Sequence, residues 1–162
     1  MTADQRLSPR EGGVRILAVD DDADLLLLYR VTLESVGHEV SEATTGRGAL
    51  EALKVGDYEV VLLDMMLPGL DGFGVLAALG RDPLISELPV VIVSARVSVE
   101  DQLRGLESGA VAYLTKPFSI DRLRSLVTAI GGMDAAARRR LRGDAIARLS
   151  SAGAGRSAAT AD

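Results

Sequence analysis

A doubly wound α/β fold with a five-stranded parallel sheet is predicted by three observations. Short β-rich runs alternate with helix-like segments between residues 14 and 130. Three of those runs, Ile16-Leu17-Ala18-Val19, Val60-Val61-Leu62-Leu63 and Val90-Val91-Ile92-Val93, are apolar on both faces. Strands of that kind sit in parallel sheets covered by helices. The connections are short, and five βα units are present where a TIM barrel needs eight.

Taken in order, the strands are Val14–Val19, Glu39–Ala43, Glu59–Leu63, Val90–Ser94 and Ala112–Thr115. The helices between them cover about 23–36, 46–55, 72–81, 99–108 and 119–130. Gly37 follows the first helix where a C-terminal glycine is expected. Ser98 with Asp101 forms a capping pair before the fourth, and Ser119 opens the last. His38 reads as a surface or strand residue at the start of the second strand. Residues 1–13, with Pro9, Gly12 and Gly13, read as a disordered lead. Gly131-Gly132 ends the alternation, so the domain spans 14–130. The Ala/Arg/Gly-rich tail 131–162 offers Ala137, Leu141, Ala145 and Leu149 as a thin stripe, which predicts a marginal helix over 134–149. Residues 150–162 are Ser/Ala/Gly-rich and are expected to be disordered.

The 162 residues contain 18 Lys+Arg, 23 Asp+Glu, one His and no Cys. Disulfides, Cys-zinc sites and thiol nucleophiles are excluded, and a single His makes a Ser-His triad a poor reading. No apolar run is long enough for a membrane span, and the start has no apolar signal segment, so a cytoplasmic protein is expected. The tail holds six Arg and three Asp, which leaves residues 1–130 strongly acidic. Phosphates repel such a body, so direct DNA binding is not expected, and Arg138-Arg139-Arg140-Leu141-Arg142 reads as a solvated helix face.

Ligands of open α/β sheets bind outside the carboxyl ends of the strands. Those ends carry Asp20-Asp21-Asp22, Asp64, Ser94-Ala95 and Thr115-Lys116-Pro117. A carboxylate after a strand often only caps the next helix, as Asp22 or Asp24 can. Several carboxylates converging near Asp64 resist ionising together, and a bound cation removes the difficulty. All-oxygen ligation points to magnesium rather than zinc.

These residues resemble the receiver domain of bacterial two-component response regulators. The matching pieces are 16–22, Leu62 to Gly72 (Leu-Leu-Asp-Met-Met-Leu-Pro-Gly-Leu-Asp-Gly), 93–96 and Ala112 to Phe118, in the family's order and spacing. The resemblance implies a flavodoxin-like sheet of order 2-1-3-4-5. It implies that Asp64 is the phosphoacceptor and takes a phosphoryl group from a sensor histidine kinase or a histidine phosphotransfer protein. Mg²⁺ would be held by Asp20, Asp21, Asp64 and the backbone carbonyl of Met66. Lys116 would pair with Asp64 and then with a phosphoryl oxygen, Ser94 would hold another oxygen, and Ser94 with Tyr113 would form the switch. Such a protein is not an enzyme beyond its own phosphorylation and dephosphorylation.

The kinase is expected to dock on the first helix. Leu25-Leu26-Leu27-Leu28 cannot all be buried on one stripe. With Leu25, Leu28, Thr32 and Val36 as the core face, Leu26, Leu27, Arg30 and Val31 lean outward. Three other readings compete. Asp20-x-Asp22 imitates the start of a haloacid-dehalogenase-like phosphatase, but Asp24 stands where that family has Thr or Val. Asp20, Asp22 and Asp24 alternate as in a calcium loop, but Leu26 replaces the turn glycine. A non-phosphorylated binding module is disfavoured because all five active-site positions are filled. The motifs look most like receivers of winged-helix transcription factors, yet only 32 residues follow Ile130. The sequence therefore reads as a single-domain regulator with a downstream protein partner, or as part of a longer chain. The charge network through which that group dimerises is depleted at Gln102, Val111 and Ala112, which leaves a homodimer open.

Overall fold

The computed structural model describes residues 13–159, with side chains through Ala154. The expected lead, except its last residue, and residues 160–162 lie outside the described residues. The elements are β1 (Arg15–Val19), α1 (Ala23–Glu34), β2 (Glu39–Ala43), α2 (Gly46–Val55), β3 (Val60–Leu63), α3 (Gly72–Arg81), β4 (Val90–Ser94), α4 (Val99–Glu107), β5 (Ala112–Thr115), α5 (Ile120–Gly131) and α6 (Ala135–Ala159). The five strands are parallel in the order β2-β1-β3-β4-β5. This is the flavodoxin-like arrangement.

Alternation along the strands splits the core in two. Ile16, Ala18, Val60, Leu62, Val91 and Val93 face α1 and α5, where Leu26, Tyr29, Leu33, Leu123, Val127 and Ile130 meet them. Leu17, Val19, Val61, Leu63, Val90 and Ile92 face the opposite layer, with Ala49 and Leu53 of α2 and Val75, Leu76 and Leu79 of α3. Asp22, Thr45, Asp71, Ser98 and Ser119 each accept a backbone N–H in the first turn of the helix that follows. Such caps contribute about 1 kcal/mol each. Among the described residues, no helix is long and apolar enough to cross a membrane.

Three expectations are corrected. First, α1 is rotated relative to the predicted phase. Its buried residues are Leu26, Tyr29, Thr32 and Leu33, so Leu26 belongs to the core and not to an exposed patch. The large Tyr29 ring sets the phase: it is 1% exposed and stacks on Phe118. Val36 lies past the helix end and is exposed. Second, α6 is longer than 134–149. It runs to Ala159 and packs along α4. Alanine lowers the cost of extending a helix, and tertiary contact stabilises what propensity alone leaves marginal.

Third, His38 is buried. Its Nδ1 accepts from the Val14 amide at 3.1 Å, and its Nε2 lies 3.1 Å from Thr128 Oγ1. This fixes the neutral tautomer with the proton on Nε2, which donates to the threonine. Burial lowers the pKa of His38. A group depressed in the folded state destabilises the fold once the unfolded chain takes up its proton. Stability present above about pH 6.5 is therefore lost as pH falls toward the folded-state pKa, at up to about 1.4 kcal/mol per pH unit. We expect His38→Gln to flatten this part of a urea-unfolding pH profile; parallel profiles for the two proteins would show that His38 does not control it.

Candidate functional site

Strands β1, β3 and β5 deliver side chains to one edge of the sheet, with β4 lying between the last two. Asp20 follows β1, Asp64 follows β3, and Lys116 follows β5. Lys116 Nζ donates to Asp20 Oδ2 at 3.1 Å and to Asp64 Oδ2 at 3.2 Å. The other oxygens of the two acids are held by backbone: Asp20 Oδ1 accepts from the Asp22 amide at 2.9 Å, and Asp64 Oδ1 from the Met66 amide at 3.0 Å. Asp20 and Asp64 are buried, whereas Asp21 is exposed. Gly72 keeps this loop in place. A Cβ there would lie 2.6 Å from Met65 Cα and 2.8 Å from the Asp64 carbonyl oxygen, so α3 abuts the loop only because position 72 is glycine.

Carboxylate oxygens of Asp20, Asp21 and Asp64 come within 4.8 Å of one another. Burial pushes the Asp20 carboxyl above its usual range; the Asp22 amide and Lys116 pull it back in part, and the charge of Asp64 raises it further. Burial alone would lower Lys116, but its bond to Asp20 and the charges of both acids outweigh that and raise it. Three carboxylates face one ammonium, so the cluster carries excess negative charge. A donor set made only of oxygen suits a hard divalent cation such as Mg²⁺.

Ser94 ends β4 and is fully buried, and its Oγ accepts from the Arg96 amide at 3.2 Å. Tyr113 on β5 donates its hydroxyl to the Arg96 carbonyl at 2.7 Å. Burial raises the Tyr113 pKa, and the neighbouring Ser94 hydroxyl draws it down in part. The backbone of Met66 lies beside Asp64, while its side chain is exposed.

The predicted docking group is divided. Leu27 and Val31 are 58% and 60% exposed, and Leu26 is buried. Arg30 is partly exposed and pairs with Glu34 and Glu42. Sequence reasoning missed Tyr29, whose ring packs parallel to Phe118 with centroids 6.0 Å apart. Phe118 comes two residues after Lys116, so this stack ties α1 to the segment that carries the ammonium. An aromatic three residues after Leu26, with Leu33 four further on, is the spacing that could have revealed it.

The family model described as the response regulator receiver domain matches residues 16–128. The transcriptional regulatory protein TcrA of Mycobacterium tuberculosis is 43% identical over 125 residues, 77% of this chain and 49% of TcrA. The DNA-binding dual master transcriptional regulator RpaA of Synechocystis is 37% identical over 117 residues, 72% of this chain and 48% of RpaA. The chain thus spans about half the length of these curated relatives. Among solved structures, a Francisella response regulator receiver domain is 35% identical with a TM-score of 0.69, covering 74% of this chain and 97% of that one. The chemotaxis response regulator CheY4 of Vibrio cholerae is 27% identical with a TM-score of 0.69, covering 73% and 98%.

Proposed function

The chain belongs to the response regulator receiver family, and from that premise we propose that it accepts a phosphoryl group on Asp64 from a histidine kinase or histidine phosphotransfer protein. The observation that carries this reading is the Lys116 ammonium, shared between the buried carboxylates of Asp20 and Asp64. A carboxylate oxygen of Asp64 attacks the phosphorus of the donor phosphohistidine. The new P–O bond forms as the P–N bond breaks, and the electron pair leaves with the imidazole nitrogen. Lys116 turns from Asp64 to a phosphoryl oxygen, and the Ser94 hydroxyl donates to another. Asp20, Asp21, Asp64 and the Met66 carbonyl would hold Mg²⁺, which when bound neutralises charge on the phosphoryl group. Positioning and charge neutralisation dominate phosphoryl transfer. Receivers are signalling modules rather than classical enzymes, and the only chemistry in this reading is phosphorylation and dephosphorylation of the chain itself. The cytoplasm is the compartment that goes with it. No DNA contact is assigned to residues 14–130, which are net acidic.

With acetyl phosphate and Mg²⁺, the chain is expected to gain one phosphoryl group, read by intact mass and mapped to Asp64. Excess EDTA should stop the reaction. Unchanged labelling in EDTA would remove the cation from this account, and a phosphoryl group mapped elsewhere would remove Asp64.

The kinase is assigned to the outer face of α1, now through Leu27 and Val31 with Arg30 between them. Two exposed apolar side chains beside a reactive edge suit a helical partner. Leu27→Asp with Val31→Ser should slow transfer from the kinase about 10-fold, equivalent to ~1.4 kcal/mol, and leave acetyl phosphate labelling unchanged. Loss of neither reaction would place docking elsewhere.

A further inference from the structure

Helix α6 begins just past the Gly131-Gly132 break and runs back along α4. Three contacts define its path. Leu141 packs against the core layer that contains Ala112 and Leu114 of β5. Arg142 Nε donates to the Leu106 carbonyl at 2.8 Å, a second bond on an acceptor at the C-terminal end of α4 that also takes the Gly109 amide at 3.1 Å. Gly153 faces the other end of α4, where a Cβ would lie 3.5 Å from Val99 Cγ1, an ordinary contact. The two helices are therefore antiparallel, and α6 covers α4 from its last turn to its first residue.

The first residue of α4 follows directly on residues 94–98, the segment that borders the site. Ser94 Oγ holds the Arg96 amide, and the Arg96 carbonyl holds the Tyr113 hydroxyl. Further along α4, a Cβ at Gly105 would lie 3.3 Å from the Tyr113 ring. The buried Ser94 hydroxyl, the 94–98 segment, the tyrosine ring and α4 thus form one connected chain of contacts, with α6 resting on its outer side. The stripe that α6 offers is narrow: Leu141, Ala145, Ile146, Leu149 and Gly153 are only partly buried. Contacts of this size belong to the low end of local stability, where a small displacement changes occupancy.

We propose that α6 is a built-in occupant of the α4 surface, released when Ser94 is drawn toward a phosphoryl group on Asp64. This rests on the reading of Asp64 as phosphoacceptor. Pulling Ser94 toward that group moves the Arg96 amide it holds, breaks the register of the Tyr113 bond, and shifts α4 at both of the points where α6 is anchored. Release bares the outer side of α4 and the apolar stripe of α6 together, so one event opens two surfaces.

Hydrogen exchange on the whole chain tests this, with Mg²⁺ and beryllofluoride as the phosphoryl stand-in and with acetyl phosphate labelling followed by intact mass. Amides of residues 142–154 are expected to exchange about 10-fold faster in the loaded state, while those of α2 stay unchanged. Full occupancy of Asp64 with unchanged α6 protection overturns the inference and leaves the phosphoacceptor reading intact. Failure to label at all overturns that reading and the inference with it. A second measurement uses reciprocity, since coupling between two equilibria acts equally in both directions. Arg142→Ala with Ala145→Glu undocks α6 without touching the site, and beryllofluoride should then bind tighter by up to the same roughly 10-fold by which loading loosens α6. Unchanged affinity in a variant whose α6 has lost protection overturns the proposal.

Discussion

Asp64→Asn is expected to reduce labelling by acetyl phosphate and Mg²⁺ below detection. The amide keeps the size of the carboxylate and can still accept from the Met66 amide, which bonds Asp64 Oδ1 at 3.0 Å in the native protein. It lacks the anionic oxygen that attacks phosphorus. It also removes one of three carboxylates gathered within 4.8 Å. Relief of like-charge repulsion offsets the weakened bond to Lys116, so the variant should melt no lower than the native chain. Loss of labelling with an undiminished melting temperature therefore reports chemistry rather than unfolding. Labelling at the native rate would show that another residue carries the phosphoryl group.

Tyr29→Ala should cost about 3–5 kcal/mol of stability, the range for deleting a large buried aromatic. Tyr29 is 1% exposed, and its ring lies at 9° to that of Phe118. Filling so large a void requires its neighbours or α1 itself to shift. In a domain whose total stability is typically 5–15 kcal/mol, the loss is a substantial fraction. Urea unfolding should show a lower midpoint with little change in slope. Tyr29→Phe keeps the stack and should lose far less. A cost below about 1 kcal/mol for the alanine variant would mean that the site collapses around the gap.

The strands were legible because their chemistry is unambiguous. Val60-Val61-Leu62-Leu63 and Val90-Val91-Ile92-Val93 have no polar face to show, and short β-branched runs of that kind, alternating with helical segments, belong in a covered parallel sheet. The grouping of Asp20, Asp21, Asp64 and Lys116 was legible for a related reason: parallel strands point their carboxyl ends the same way, so residues far apart in sequence share one edge. The phase of α1 was not legible. Four consecutive leucines fit several stripes equally well, and the arbiter was Tyr29 with its partner Phe118, a contact between residues 89 apart. His38 was misplaced because an isolated histidine carries no periodicity; its partners are a backbone amide and Thr128, visible only in three dimensions. The full length of α6 was hidden because its support comes from α4 and not from its own composition.

The strand order β2-β1-β3 has a kinetic consequence. Ile16 pairs with Val60, and between them lies the whole α1-β2-α2 excursion. The ammonium closes contacts to acids 96 and 52 residues earlier in the chain. Contacts between residues this far apart slow folding, because chain entropy must be lost before the contact is gained. A chain still emerging from synthesis, or trapped half-folded, therefore has scattered carboxylates and no reactive cluster. The cluster is thus a property of the closed sheet and of no single segment: Asp20, Asp64 and Lys116 meet only when β1, β3 and β5 are all in place.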